Sequence, residues 1–534
     1  MKKNNTNNNS KIFAGIIIFI VIASIIYVTT HNLGSTLNIF HSESNTFRLL
    51  SSTSTAIYDE ELMDYASKNG IYLEITHQGD LAMVDTLNNG TEKYDGVWIS
   101  NSIWLYMLDN SYLVSNSKSI AIDPVIMGIK KSKAEELGFT SKDVYNKDIL
   151  NAIKNNQLDY VMTSVTETNT GATAYLGFLN SIAGSPEVLT EEMLDDKALQ
   201  EDLKSFFKGV ERVSGNEEYI KEMFLKGEYN AVITYESSLI DINKELEAKG
   251  EETLYFIYPK DGVAINDMPF AFIDNGTGKE ELFNKLQNHL RSDEAREKLE
   301  SLGFRTWYGG TNENPNKVFK KDWGIDTTKY LIPLKYPSKP VMNKAFDLYV
   351  TSLRKPTAVV FVLDVSGSMA GNGIEELQDS LYYLLDYEKA SKDRLQFSEA
   401  DLIKIITFNE KVDQETQTYS GRNTEELINF VREMQAYGGT NIYDSSVKAL
   451  EDLKSYDKNE YTRTVILMTD GKSNVGEYDS LEKAYKGLDI PIYSITFGNA
   501  DDYQLQTIAD LTNGKVFDGK TGLKEAFQEV RSYS

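Results

Sequence analysis

From Thr46 onward the chain alternates short apolar runs with amphipathic stretches. Phe47–Leu50, Ile71–Thr76 and Asp95–Ile99 predict strands. Tyr58–Lys68 predicts a helix with Leu62, Tyr65 and Ala66 on one face. Further strands are expected at Ile120–Ile129, Leu158–Ser164, Ala231–Tyr235 and Phe270–Ile273. Helices are expected at Gly171–Ile182, Ser205–Val210, Tyr219–Lys226, Lys279–Ser292 and Asp293–Leu302, the last stopped by Gly303. This alternation predicts an α/β fold, a parallel sheet covered by helices.

The rhythm breaks between Phe304 and Pro340, where Trp307, Gly309, Gly310, Pro315, Trp323, Pro333 and Pro337 mark a connector. A helix over Asn343–Leu353 leads into a second unit with strands at Val359–Leu363, Leu402–Phe408, Thr464–Thr469 and Ile492–Phe497. Its helix Thr424–Gln435 turns Leu427, Ile428, Val431 and Met434 inward, and Asn423 and Glu426 have capping-box spacing. At the other end, Ile12–Thr30 is uncharged and rich in Ile and Val. Nineteen helical residues span roughly 28 Å, close to a bilayer core. Lys2, Lys3 and Lys11 precede the run, so the tail is expected inside and the rest outside. A signal peptide cut near Ala23 is the competing reading. The expected organisation is a cytoplasmic tail (1–11), a transmembrane anchor (12–30), a tether (31–45), a first globular unit (46–305), a connector (306–355) and a second unit (356–534). The expected location is the cell membrane, single-pass, with the C-terminal domains extracellular.

Composition narrows the chemistry. The 534 residues are enough for two or three domains, and the formal charge of −25 argues against nucleic acid as a partner. There is no cysteine, which removes disulfides and thiolate chemistry, and His31, His41, His77 and His289 are too scattered to suggest a zinc site.

Binding groups in a doubly wound sheet collect beyond the carboxyl ends of its strands. In the second unit the buried run Val359–Leu363 ends in Asp364, Ser366 and Ser368. Thr464–Thr469 ends in Asp470-Gly471, and Gly438-Gly439-Thr440 precedes a helix starting near Ile442. Five hard oxygen donors of this kind suit a small cation such as Mg²⁺, with Mn²⁺ or Ca²⁺ as alternatives. The competing reading is an ordinary loop whose Asp and Ser cap a helix. The unit contains no histidine for a serine–histidine pair, and the Gly471–Ser473 segment lacks the first glycine of a phosphate loop.

The segments TAVVFVLDVSGSM, AYGGTNIYDSSVKAL, RTVILMTDGKSN and PIYSITFGNADDYQLQTIADLTNG resemble a von Willebrand factor type A domain over residues 356–534. The resemblance implies a doubly wound, Rossmann-like domain with a metal-ion-dependent adhesion site. In it Ser366 and Ser368 bind the ion directly, Thr440 directly or through water, and Asp364 and Asp470 hold waters or coordinate it. An acidic side chain of a protein partner completes the coordination. Residues 46–305 resemble an extracellular solute-binding protein of the periplasmic type, through TNTGATAYLGFL, FLKGEYNAVITYESSLI, DMPFAFI and SDEAREKLESLGFR. This implies a two-lobed α/β clamshell with crossovers near residues 120 and 260, on a bacterial cell-surface protein.

Ser52 and Ser54 after the first strand, Thr170 and Thr173 at a helix start and Tyr235 after another strand are the candidate solute contacts. Free N–H groups at that helix start favour an anion, whereas Glu236 argues against a simple one. Trp98 and Trp104 are expected in the core. The function expected is that of a membrane-anchored extracellular adhesion protein, not an enzyme, which grips a protein partner through Mg²⁺. The alternative is a sensor or transport-associated component in which the clamshell, holding a small polar solute, is primary.

Overall fold

The computed structural model describes residues 43–533 except 110, 307–316, 334, 474, 499 and 521. The expected tail and anchor, and the tether up to residue 42, lie outside the described residues. Among the described residues no helix is long and apolar enough to cross a membrane. The longest, such as Asn169–Ile182, have 14 residues. They reach about 21 Å, short of the ~30 Å hydrocarbon layer. On this finding the expectation of a single-pass cell-membrane protein is corrected.

The described residues form three sheets. The first joins β1 (Thr46–Ser52), β2 (Tyr72–Gln78), β3 (Gly96–Trp98), β4 (Val114–Ser119) and β11 (Pro269–Ile273) in the order β2-β1-β3-β11-β4. The second joins β5 (Asp123–Lys130), β6 (Tyr160–Thr163), β7 (Val210–Ser214), β8 (Ala231–Tyr235), β9 (Leu254–Ile257) and β10 (Ala264–Asn266) in the order β10-β5-β8-β6-β7, with β9 also on β5. The chain passes from the first sheet to the second between β4 and β5 and returns between β10 and β11. Two lobes with two crossovers result, at about the expected places. The expected strand Ile120–Ile129 is in fact this crossover followed by β5. The expected helix Ser205–Val210 is the end of a longer one, Lys197–Lys208, and Val210 already belongs to β7.

The third sheet runs β14-β13-β12-β16-β17-β18, with β15 on β13. Its strands are β12 (Thr357–Asp364), β13 (Leu402–Phe408), β14 (Val412–Glu415), β15 (Tyr419–Ser420), β16 (Thr462–Thr469), β17 (Ile492–Thr496) and β18 (Val516–Asp518). β12 pairs in parallel with β13 on one side and β16 on the other. Every residue of β12 is buried. Val359, Phe361 and Leu363 pack with Leu377, Leu381 and Phe527 on one face. Ala358, Val360 and Val362 pack with Ile442, Leu450 and Ile508 on the other. Both faces are covered by helices, which is why the strand is continuously apolar. The helix expected from Thr424 spans Glu425–Glu433. Asn423 does not cap it: Thr424 is the capping residue, without a side-chain cap bond, and its hydroxyl donates to the Leu385 carbonyl.

The second lobe and the third sheet share one core. Arg212 of β7 is 3% exposed and donates to the Tyr493 hydroxyl (2.9 Å) and the Asn513 carbonyl (2.7 Å) across the junction. Tyr219 donates to the Gly514 carbonyl at 2.6 Å, and Asn216 Nδ2 to the Tyr533 hydroxyl at 2.8 Å. The rings of Tyr493, Phe517 and Tyr533 pack with centroids 5.2–6.0 Å apart.

Candidate functional site

β13 lies on one side of β12 and β16 on the other, so the order of the sheet reverses at β12. Such a reversal opens a crevice beyond the carboxyl ends of the two strands. Asp364 closes β12 and Asp470 follows β16 at this point. Backbone bonds hold the loops together: Gly367 N donates to Gly438 O at 3.0 Å, and Tyr437 N to Val365 O at 2.8 Å. Asp364 is buried. It accepts from Ser366 N at 2.8 Å through Oδ1 and from the Thr469 hydroxyl through Oδ2. The Ser366 and Ser368 hydroxyl oxygens stand 3.0 Å apart, and Ser368 donates to Asp470 Oδ1 at 2.7 Å. A Cβ built on Gly471 would lie 3.5 Å from Thr440 Oγ1 and 3.7 Å from Ser368 Oγ, so both hydroxyls face one point beside that glycine. The fold therefore gathers Asp364, Ser366, Ser368, Thr440 and Asp470. Ser368 is exposed while Asp364 and Ser366 form the floor.

Burial pushes the Asp364 carboxyl up to about 6, with a smaller contribution from the neighbouring charge of Asp470. Burial also raises Asp470. Two carboxylates whose negative forms are disfavoured, beside three hydroxyls, make a donor set that gains from a hard cation. Among the described residues no cluster of three or more His, Cys, Asp or Glu is placed to hold a metal. The crevice depends on hydroxyls, so it is not visible as an acid cluster.

One residue here escaped the sequence reading. Exposed Glu410 follows β13 and accepts from Gly439 N at 2.9 Å, pinning the Gly-Gly-Thr loop. The signal was available, because Glu410 lies at the carboxyl end of a strand as Asp364 and Asp470 do.

Residues 358–529 match the family model of the von Willebrand factor type A domain. The second unit is such a domain. Residues 48–305 match the model of a bacterial extracellular solute-binding protein, which makes the first unit solute-binding-like. The von Willebrand factor type A region is similar to inter-alpha-trypsin inhibitor heavy chain H3 of Mesocricetus auratus, 32% identical over 166 residues, 29% of this chain and 18% of that protein. The chain thus spans about a fifth of the length of the curated relatives it matches. Among solved structures, a von Willebrand factor type A protein from Catenulispora acidiphila aligns with a TM-score of 0.29 at 18% identity, over 34% of this chain and 43% of that one. A solute-binding protein from Bordetella parapertussis aligns at 0.42 and 12% identity, over 57% of this chain and 98% of that one.

A cavity of about 700 Å³ is bordered by Thr53, Asp80 and Trp104 of the first lobe, by Glu167 and Glu217 of the second, and by Asn343, Arg394 and Glu529 of the connector helix and the C-terminal domain. One of about 400 Å³, bordered by Ser54, Ser100, Asp123, Glu217 and Tyr235, adjoins it. Ser52 is fully buried, and its hydroxyl bonds Asp80 Oδ2 and the Ser54 and Ser100 hydroxyls, each at 2.9 Å. The Thr170 hydroxyl is buried 2.5 Å from that of Thr163. Thr173 is buried and donates to the Asn169 carbonyl within its own helix. The Tyr235 hydroxyl accepts from Asn169 Nδ2 at 2.7 Å. Trp98 is core. Trp104 is 2% exposed yet borders the larger cavity, and donates to Asn169 Oδ1 at 2.6 Å. Glu236 does not reach the cleft as a free acid. It is fully buried and paired with Arg305, whose Nε and Nη2 donate to its two oxygens at 2.6 and 2.7 Å.

Proposed function

We propose that the protein is a binding protein that grips an acidic side chain of a protein partner through a divalent cation, Mg²⁺ in the first instance, held by Asp364, Ser366, Ser368, Thr440 and Asp470. The observation that carries the reading is the convergence of these five side chains at the reversal point of the third sheet. When bound, the cation supplies a coordination position for an outside carboxylate. Ser366 and Ser368 offer neutral oxygens, which leave its charge weakly compensated and therefore attractive to an acid. Asp364 anchors from below, and Glu410 holds the Gly-Gly-Thr loop in place.

The families matched are generally ones of binding domains, which supports a binding role. The test is capture of protein partners by the wild-type chain with Mg²⁺, with EDTA, and with Asp364→Ala in Mg²⁺. Capture that needs both the ion and Asp364 supports the reading; equal capture in all three arms refutes it.

A second reading rests on the larger cavity, which both lobes and the C-terminal domain border. Its volume is that of a small-molecule pocket, and the first unit holds a small polar solute there. Calorimetry of the wild type against a polyol, amine and amino-acid panel tests it, and heat that survives Asp364→Ala places the solute away from the oxygen-lined crevice.

A further inference from the structure

In each lobe a carboxyl group of the chain takes up hydrogen-bond donors that face the cavities. In the second lobe the helix Asn169–Ile182 begins at the cleft. Free amides at a helix start attract anions. Here Gly171 N donates to the Thr168 hydroxyl at 3.1 Å, and Thr170 N donates to Glu217 Oε1 at 2.9 Å. Glu217 reaches this position from the loop after β7, is half-buried, and borders both cavities. In the first lobe, Ser100 N donates to Asp80 Oδ1 at 2.6 Å, and the Ser52 and Ser100 hydroxyls donate to Asp80 Oδ2 at 2.9 Å. Asp80 is 1% exposed. These five donors are therefore engaged within the chain.

We infer that Glu217 is a specificity-determining residue of the cleft: its carboxyl group occupies, from within the chain, the oxyanion seat at the start of the helix Asn169–Ile182, and so keeps sulfate and phosphate out. The inference rests on the solute reading of the cleft and narrows its solute class to uncharged or cationic donors of hydrogen bonds. Occupancy is enough for the exclusion, because a protonated carboxyl still fills the seat and still accepts from Thr170 N. The buried Asp80 facing the same cleft adds repulsion whenever it is ionised.

The experiment is calorimetry of the full chain with sulfate and with phosphate, comparing wild type, Glu217→Ala and Glu217→Gln. Wild type is expected to give no heat at millimolar anion. Glu217→Ala empties the seat and is expected to bind sulfate at least roughly tenfold more tightly. Glu217→Gln keeps both shape and acceptor, so it is expected to behave as wild type does. Sulfate binding by wild type overturns the inference while leaving the solute reading intact. Failure of a folded Glu217→Ala protein to gain sulfate or phosphate also overturns it. If Glu217→Ala gains sulfate while wild type gives no heat with the polyol and amine panel, the solute reading falls and the assignment of Glu217 stands.

Discussion

Arg212→Ala removes the central contact between the second lobe and the von Willebrand factor type A domain. The guanidinium is 3% exposed, and its nearest carboxylate, that of Asp489, is 3.9 Å away with a half-exposed side chain. Its charge is therefore held mainly by oxygens, at 2.9 Å from the Tyr493 hydroxyl and 2.7 Å from the Asn513 carbonyl. Hydrogen bonds from a charged group contribute about 1.5–3 kcal/mol each, so losing the two across the junction gives about 3–6 kcal/mol. The Asn513 carbonyl keeps a second donor, the Tyr219 hydroxyl at 3.2 Å, which places the expectation toward the lower end. A loss of that size is a large part of a domain's stability of roughly 5–15 kcal/mol. Urea unfolding followed by tyrosine and tryptophan fluorescence and by circular dichroism measures it. Wild type is expected to unfold its second lobe and C-terminal domain together. Arg212→Ala is expected to shift the midpoint down and separate the two transitions. Tyr493→Phe alone is expected to cost less, and the double variant less than the sum of the two, because one bond is shared. A loss below about 1 kcal/mol with transitions still coincident would refute the reasoning, since it would mean water replaces the guanidinium without penalty.

Other consequences are as direct. Ser368→Ala is expected to weaken Mg²⁺ binding and to cost the ion-free protein no more than the bond to Asp470, about 1.5–3 kcal/mol, because the side chain is otherwise exposed on its loop; loss of the ion-free fold would contradict that placement. Glu236→Ala leaves the Arg305 charge buried and unpaired, with an expected loss of about 3–5 kcal/mol in chemical unfolding. Burial and the charge of Asp80 push the Glu217 carboxyl from its ordinary 4.5 up to about 8. Between these values the folded chain keeps a proton that the unfolded chain releases, so this group's contribution to stability falls as pH rises from about 4.5 to about 8. Melting curves across that window are expected to be flatter for Glu217→Gln than for wild type.

The parts legible in the sequence were those in which one residue pattern answers to one environment. Val359–Leu363 is apolar at every position because helices cover both faces of β12, and that also marks where Asp364 must emerge. The short edge strands β14 and β15 carry no comparable signal. They are half-exposed, and β15 has two residues, so tertiary pairing with β13 decides them. The same holds for the start of the helix Glu425–Glu433. Spacing favoured Asn423, but the Thr424 hydroxyl finds the Leu385 carbonyl 39 positions away. Glu236 was misplaced for a related reason. It follows β8, as a cleft residue would, yet pairs with Arg305 on the far side of 69 residues of chain. A strand-end rule names residues near a crevice but cannot tell an open carboxylate from one already matched by a partner remote in sequence.

The two ends of the C-terminal sheet have separate tasks. The loops bearing Asp364, Glu410, Thr440 and Asp470 lie beyond the carboxyl ends of β12, β13 and β16. The contacts to the second lobe use the opposite end: Lys355 just before β12 donates to the Val210 carbonyl at 3.1 Å, Glu460 just before β16 pairs with Lys208, Tyr493 is the second residue of β17, and Asn513 precedes β18. A partner at the oxygen-lined crevice therefore does not compete with the junction for surface. The junction is also continuous with the core of the second lobe, and Lys392, Arg394 and Glu529 of the C-terminal domain border the larger cavity together with Asp80 and Asp85 of the first lobe. Arg212 thus ties the domain that carries the oxygen-lined crevice to the lobe that carries Glu217.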